Sequence, residues 1–112
     1  KGITSFQDAG SPFATIDFFR KAAAQGKLNV RLWVMVRDSL ELQRRNLAKY
    51  RGVDRQVTVR GIKHSIDGAL GPRGAWLLAP YEDLKTSTGL NTTPLETIRE
   101  SARLAVLHGY QL

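Results

Sequence analysis

The chain has 112 residues, of which 42% are hydrophobic and 24% are charged, and its formal net charge is +7. These values exclude an intrinsically disordered chain and leave room for one domain with a modest core. Cysteine is absent, which excludes disulfides and thiolate metal sites. No apolar run reaches the ~20 residues of a membrane helix, so we expect a soluble, cytoplasmic chain without a membrane partner.

The first third of the sequence predicts two strands separated by a helix. Residues 2–8 are β-branched and aromatic and run into a loop containing glycine and proline, as a strand does where it ends. An apolar helical stripe follows between Thr15 and Ala23, and Gly26 suits the position after the helix. Residues 29–36 are apolar at both alternating sets of positions, which is typical of a parallel strand covered on both faces.

The middle of the chain predicts a second helix and a third strand. Asp38 and Glu41 form a capping box, which opens a helix through about residue 50. Residues 57–66 then form a strand whose alternation places Lys63 on the face opposite to its two neighbours.

A long loop separates the third strand from the last helix. It runs for about 26 residues, to Thr92, and loops of that length in compact domains are usually functional or disordered. Thr93, Pro94 and Glu96 then predict a helix start, and Gly109 predicts its end. Residues 110–112 resemble the beginning of a fourth strand.

This order of elements predicts an α/β protein. Parallel strands joined by helices form a layered sheet or a barrel with right-handed connections. Three strands and the beginning of a fourth are too few to close an eight-stranded barrel. We therefore expect the chain to be part of a larger structure and to associate through its exposed strand edges.

Lys63 is the most informative residue, because a lysine on an apolar strand needs either a partner for its ammonium or a chemical role. The structural interpretation is an ion pair with Asp8 or Asp67 and a buried aliphatic stem. The functional interpretations are a Schiff-base nucleophile, a clamp for phosphate or carboxylate, or a carbamate formed with carbon dioxide that bridges two divalent metals. The residues alone leave these alternatives open.

Three further candidates lie where strands end or just beyond, at the edge where parallel α/β proteins gather their ligand-binding groups. Asp8 could orient a substrate, or it could cap its own loop. Asp67 could be catalytic, or it could stabilise a turn through an Asx-type bond. Arg73 could hold an anionic substrate group with two hydrogen bonds, or it could be an ordinary exposed loop arginine.

A basic patch on the second predicted helix and the turn after it suggests a different function. It consists of Arg44, Arg45, Lys49, Arg51 and Arg55. Such a surface could bind the phosphate backbone of a nucleic acid, but the same pattern is that of a solvated helix face. A small basic α/β nucleic-acid-binding module is therefore the alternative function, while our main interpretation has no nucleic-acid partner.

Three segments carry a resemblance to a known family: residues 2–10, residues 59–63 with 67–78, and residues 89–91 with the helix that leads to residue 112. In these segments the chain resembles the amidohydrolase superfamily, and within it amidohydrolase family 3, the relatives of N-substituted formamide deformylase. The stretch from Lys63 to Leu78 is the most specific of them.

The resemblance implies that residues 1–112 are a central fragment of a distorted TIM-barrel domain of the metal-dependent hydrolase type. Such a partial (β/α) barrel would contain about three β/α units and the start of a fourth strand. It implies hydrolysis of a carbon-nitrogen bond other than a peptide bond, in a small amide-like substrate, by water activated on a divalent metal, usually zinc.

The resemblance also assigns a role to one residue: Lys63 would occupy the position of the family's carboxylated, metal-bridging lysine. From their places near the strand ends, Asp67 stays our candidate catalytic residue, and Asp8 and Arg73 stay our candidate substrate-binding residues. The family's His-x-His pair, its two later histidines and its late-strand aspartate are missing from this sequence. We therefore expect the 112-residue chain alone to bind metal poorly and to turn over no substrate. Because strand edges are exposed, a homo-oligomer is one possible assembly.

Overall fold

The computed structural model describes residues 2–112 and divides the chain into two compact units. The first unit comprises the chain up to Lys63 together with Glu100–Leu112, and the second comprises His64–Arg99.

The first unit contains a four-stranded sheet of order β1-β2-β4-β3. Its strands are β1 (Ser5–Ser11), β2 (Arg31–Val36), β3 (Gly52–Asp54) and β4 (Val57–Ile62). The pairs β1-β2 and β2-β4 are parallel, and β3 is antiparallel to β4. The long strands therefore neighbour one another in chain order, as in the predicted α/β arrangement.

The predicted start of a further strand is confirmed at Gln111, which forms a parallel bridge with Gly61. The amide of Gln111 donates to Arg60 O at 2.8 Å, and Gln111 O accepts from Ile62 N at 2.8 Å. Because β4 pairs with β2 through its other edge, Gln111 adds to the parallel series on the side away from β2.

Three helices connect the strands: α1 (Phe13–Ala24), α2 (Leu40–Tyr50) and α3 (Leu95–His108), which begins in the second unit and ends in the first. Gly26 and Gly109 follow α1 and α3 with φ of 67° each, the left-handed conformation in which glycine ends a helix without strain. Within residues 2–112 no helix is both long and apolar enough to cross a membrane.

The core of the first unit lies between the sheet and the helices. Alternate residues of β2 point into it, and Trp33 and Met35 occupy the opposite face, where they are half-buried. The buried apolar residues are Phe13, Ile16, Ala23, Leu32, Val34, Val36, Leu47, Tyr50, Val57, Val59, Ile62, Leu104, Ala105 and Tyr110.

Three of the predicted element boundaries are wrong. The first strand was predicted over residues 2–8 with a loop after it, but β1 runs from Ser5 to Ser11 and contains Gly10. The side chain that caps α2 is Ser39, whose Oγ accepts from Leu42 N at 3.3 Å. The predicted cap Asp38 instead accepts from the backbone amide of Phe13 at 3.0 Å, because it is used to tie α1 to the end of β2. The short strand β3 was not predicted, since three residues carry too little periodicity to be recognised.

The third predicted strand, 57–66, is also too long, because β4 ends at Ile62. Lys63 N still donates to Val36 O at 2.8 Å, but the residues that follow bond to a loop. Ser65 O accepts from the hydroxyls of Thr92 and Thr93, and Ile66 O accepts from Thr92 N. These hydrogen bonds replace the ladder that a longer strand would make.

The second unit is a loop closed by its own hydrogen bonds. Backbone atoms of Gly68 and Gly74 touch, because a Cβ built on Gly68 would lie 3.0 Å from the Cα of Gly74. Tyr81 is buried, and its hydroxyl donates to Ala75 O at 2.8 Å. The isolated bridge between Asp67 and Asn91 brings the two ends of the loop together.

Candidate functional site

The carboxyl ends of β1, β2 and β4 lie side by side at one edge of the sheet in the first unit. Ser11 pairs with Val36 in the register of β1 and β2, and Val36 pairs with Ile62 in that of β2 and β4. This is the edge at which parallel α/β proteins bind ligands. Asp8, Gly10, Arg37 and Lys63 are at or next to it.

Asp8 forms local hydrogen bonds within β1, where the sequence predicted that it would cap a loop. Its Oδ1 accepts from the Gly10 amide at 3.1 Å, and its Oδ2 accepts from the hydroxyl of Ser11 at 2.5 Å. Both bonds lie within the end of β1, where the register with β2 shifts between Asp8 and Ser11. The carboxylate therefore shapes this strand end, and its predicted contact with a substrate stays a prediction.

Lys63 directly follows β4 and is half-buried. Its Cγ lies 3.3 Å from the position that a Cβ on Gly10 would take, so its aliphatic stem covers the end of β1. Within residues 2–63 and 100–112 the ammonium forms no ion pair, so the structural interpretation with Asp8 is not realised. Burial of the stem leaves the amine at the ligand-binding edge.

Asp67 and Arg73 both lie in the second unit, and each is held there by a partner of that unit. Asp67 Oδ2 accepts from Trp76 N at 3.0 Å, a bond across nine residues rather than the predicted Asx-type bond. Arg73 donates to Asp83 at 2.7 Å, and this hydrogen bond lowers the pKa of Asp83 from its usual value. Arg73 is exposed and has a φ of 59°, an uncommon conformation for a residue with a side chain.

Residues 2–112 contain no group of three or more histidine, cysteine, aspartate or glutamate side chains that could hold a metal ion. The described residues therefore do not form a metal site of ordinary ligand composition. A lysine carbamate would supply oxygen ligands from Lys63, but it would need further ligands from outside these residues.

Arg37 and Gly10 were not predicted as site residues. Arg37 is the first residue after β2, and its amide donates to Ser11 O at 2.9 Å, which extends the parallel pairing of β1 and β2. Gly10 has a φ of 132° and lies against the side chains of Arg37 and Lys63. The sequence pattern placed Gly10 in a loop rather than in β1, and the side chains that lie against it could be located only once the strand register was known.

The basic patch on α2 and the turn after it is largely engaged within the first unit. Arg44 pairs with Glu100 at 3.3 Å, and Arg45 pairs with Glu41. Hydrogen bonds from Arg103 and Arg44 lower the pKa of Glu100, so its charge persists beside the patch. The remaining contacts are Arg51 with Gly109 O, Arg55 with Asp54, and Lys49 with the Tyr50 ring.

The family comparison and the comparison with solved structures both indicate a hydrolase. The model of the amidohydrolase family matches residues 1–112. Two solved structures are similar: an uncharacterized metal-dependent hydrolase from Pyrococcus furiosus, with 25% identity and a TM-score of 0.76, and one from Pyrococcus horikoshii OT3, with 25% identity and a TM-score of 0.75. Each match covers 95% of this chain and 22% of the other, so the chain spans less than a quarter of their length. No curated protein matches the chain.

Proposed function

The chain belongs to the amidohydrolase family, and from this membership we propose that it is one segment of a metal-dependent hydrolase that cleaves a carbon-nitrogen bond other than a peptide bond. The substrate would be a small amide-like molecule. The divalent metal, for which zinc is our proposal, would activate a water molecule to attack the carbonyl carbon.

The observation that carries this proposal is the position of Lys63. It follows β4 directly, at the carboxyl edge of the parallel strands, and its amine has no acidic partner within the first unit. Its aliphatic stem packs over the end of β1, and this leaves the amine available for carbamate formation at that edge. The family match therefore supports Lys63 as the residue that this segment contributes to the metal centre.

The topology supports a barrel for the complete protein. In a (β/α) barrel each parallel strand neighbours the next along the chain, and a helix connects the two. The strands β1, β2, β4 and the bridge at Gln111 follow this order. We propose that further β/α units close the barrel and provide the metal ligands that the described residues lack.

For the complete protein we propose Asp67 as a catalytic residue and Asp8 and Arg73 as substrate-binding residues. The bond from Trp76 N to Asp67 Oδ2 holds the carboxylate in one orientation, which a proton-transferring group requires. Arg73 would exchange its exposed pair with Asp83 for a substrate group at little cost, since such pairs contribute roughly 0–1 kcal/mol.

We further propose that the isolated chain self-associates. Strand β1 is at the edge of the sheet, and Phe6 on it is 59% exposed. An edge strand with an exposed aromatic residue is a template for pairing with another copy.

The test begins with the 112-residue chain and continues with a longer protein that contains it. We expect the short chain to show no stoichiometric zinc binding by calorimetry and no hydrolysis of an N-substituted formamide. In the longer protein we expect both, and Lys63→Met should lower the bound metal and the rate by at least about a hundredfold, since it removes a ligand. Lys49→Met, an exposed lysine on α2, is the matched control and should change neither.

Two outcomes would contradict the proposal. Tight zinc binding and turnover by the 112-residue chain would show that no further ligands are needed. Full metal content and activity in Lys63→Met would remove this lysine from the metal centre.

A further inference from the structure

Arg37 is an arginine without an acidic partner at the edge where ligands bind. It directly follows β2 and its side chain is exposed. Among residues 2–63 and 100–112, no carboxylate forms an ion pair with it and no acceptor forms a hydrogen bond with its side chain. Its backbone is nevertheless fixed, because its amide donates to Ser11 O at 2.9 Å.

Most other arginines of the first unit do have a partner there. The partners are Tyr50 O and Asp54 for Arg20, Thr4 for Arg31, Glu100 for Arg44 and Arg103, Glu41 for Arg45, Gly109 O for Arg51, and Asp54 for Arg55. Arg60 is the other exception in that unit, and it lies inside β4 rather than beyond its end. Arg37 is thus set apart both by its missing partner and by its position.

The carboxylates at this edge are already used by other donors. Asp8 accepts from Gly10 N and the Ser11 hydroxyl, and Asp38 accepts from the amides of Phe13 and Ser39. Each of these bonds fixes a strand end or a helix start, and within the first unit neither acid forms an ion pair with Arg37.

Gly10 brings the Arg37 side chain over the end of β1. A Cβ on Gly10 would lie 3.0 Å from Arg37 Cδ and 3.3 Å from Lys63 Cγ, so the two stems meet above this glycine. Both side chains therefore pass over the same strand end, which is the edge of the sheet at which we expect ligands.

We propose that Arg37 binds a carboxylate carried by the substrate, so that the substrate class is an anionic amide rather than a neutral one. The guanidinium matches the two oxygens of a carboxylate in a bidentate pair, which fixes orientation as well as charge. This inference rests on the proposed function for the amide, but the carboxylate site itself depends only on Arg37 and its surroundings. If Lys63 becomes a carbamate and loses its positive charge, Arg37 remains the cation of the site.

The test measures carboxylate binding by the 112-residue chain without metal and without turnover. Acetate is titrated at constant ionic strength while the amide resonances of Gly10 and Arg37 are followed by NMR, with acetamide as the neutral analogue of the same shape. We expect saturable shifts with acetate and none with acetamide. Arg37→Met should raise the dissociation constant about tenfold, because a charge-assisted pair is lost.

Arg31→Met is the matched control, since Arg31 is at the opposite end of the same strand, about 20 Å away. It removes the same charge and should change the dissociation constant less than twofold. Arg37→Lys keeps the charge but not the bidentate geometry, so its dissociation constant for acetate should lie between those of the unsubstituted chain and Arg37→Met. Arg37→Lys also provides a second reading of the site if Arg37→Met does not fold.

Equal weakening in Arg37→Met and Arg31→Met would overturn the inference, because it would mean general attraction to a basic chain. Equal binding of acetamide would overturn it as well. If the longer protein bound no metal or hydrolysed no amide, that result would count against the proposed function. The binding of acetate by Arg37 would not be affected by it.

Discussion

The burial of Tyr110 in the first unit can be tested by measuring how the free energy of unfolding depends on pH. Tyr110 directly follows α3 and Gly109, its side chain is buried, and its hydroxyl donates to Leu47 O at 2.8 Å. Burial raises the pKa of Tyr110 from 10.0 to about 12, although Arg20 and Arg51 act in the opposite direction. The unfolded chain therefore loses this proton at a lower pH than the folded chain does.

The sign and size of the effect follow from this difference. The stability contributed by the protonated hydroxyl is complete below about pH 10 and is lost as the pH rises towards 12. The difference in pKa corresponds to at most about 2.7 kcal/mol, and screening by nearby solvent reduces this to about 1–2 kcal/mol. Tyr110→Phe has no such loss, but it lacks the hydrogen bond to Leu47 O, which costs about 1 kcal/mol at neutral pH.

The measurement is urea unfolding of both proteins at about pH 8 and about pH 11.5. We expect Tyr110→Phe to be less stable by about 1 kcal/mol at the lower pH and about as stable as the unsubstituted chain at the higher pH. The pKa of Tyr50 is also raised by burial and by its hydrogen bond to Asp17, but this contribution is common to both proteins and cancels. A deficit that stays constant or grows with pH would refute the reasoning.

Two further predictions concern α3 and the basic patch. Ser101→Ala should lower the free energy of unfolding in urea by about 1–3 kcal/mol, because buried Gln43 Oε1 accepts a hydrogen bond from Ser101 Oγ. The double variant with Gln43→Leu should lose less stability than the sum of the two single variants. Strict additivity would show that the two side chains are not coupled. The chain should bind a mixed oligonucleotide weakly at most, since Arg44 and Arg45 are paired with acids. Binding whose logarithm falls with log salt at a slope steeper than about −3 would favour the nucleic-acid-binding module instead.

The helices and the long strands could be predicted because each has a strong local signal. The apolar stripe of α1 and one of the two alternating sets of β2, Leu32, Val34 and Val36, pack in the core. The cap of α2 could not be assigned correctly, because Asp38 and Ser39 are both good capping residues and a contact with Phe13, distant in sequence, decides between them. The strand end at Ile62 likewise depends on the loop residues that take over its hydrogen bonds.

In the candidate site, too, one residue could be recognised from its neighbours in sequence and another only from contacts between distant segments. Lys63 was recognisable because a lysine is unusual after an apolar strand. Arg37 was not, because an arginine followed by an aspartate at the end of a strand suggests an ion pair or a solvated turn. Only the register of β1, β2 and β4 shows that Asp38 bonds to Phe13 and that Arg37 crosses Gly10 beside Lys63.

The face of the sheet opposite to the helices is the surface that we propose the rest of a barrel would cover. Trp33 and Met35 lie on this face, and a Cβ on Gly61 would come within 2.8 Å of the Trp33 ring, so the ring occupies the space that a side chain at 61 would fill. Trp33 and Met35 remain half-buried, and Gln7, which pairs with Trp33 in the register of β1 and β2, is exposed. Parallel sheets are stable when both faces are covered. The strands that we propose to close the barrel would cover these residues and, at the same edge, bring the missing metal ligands to Lys63.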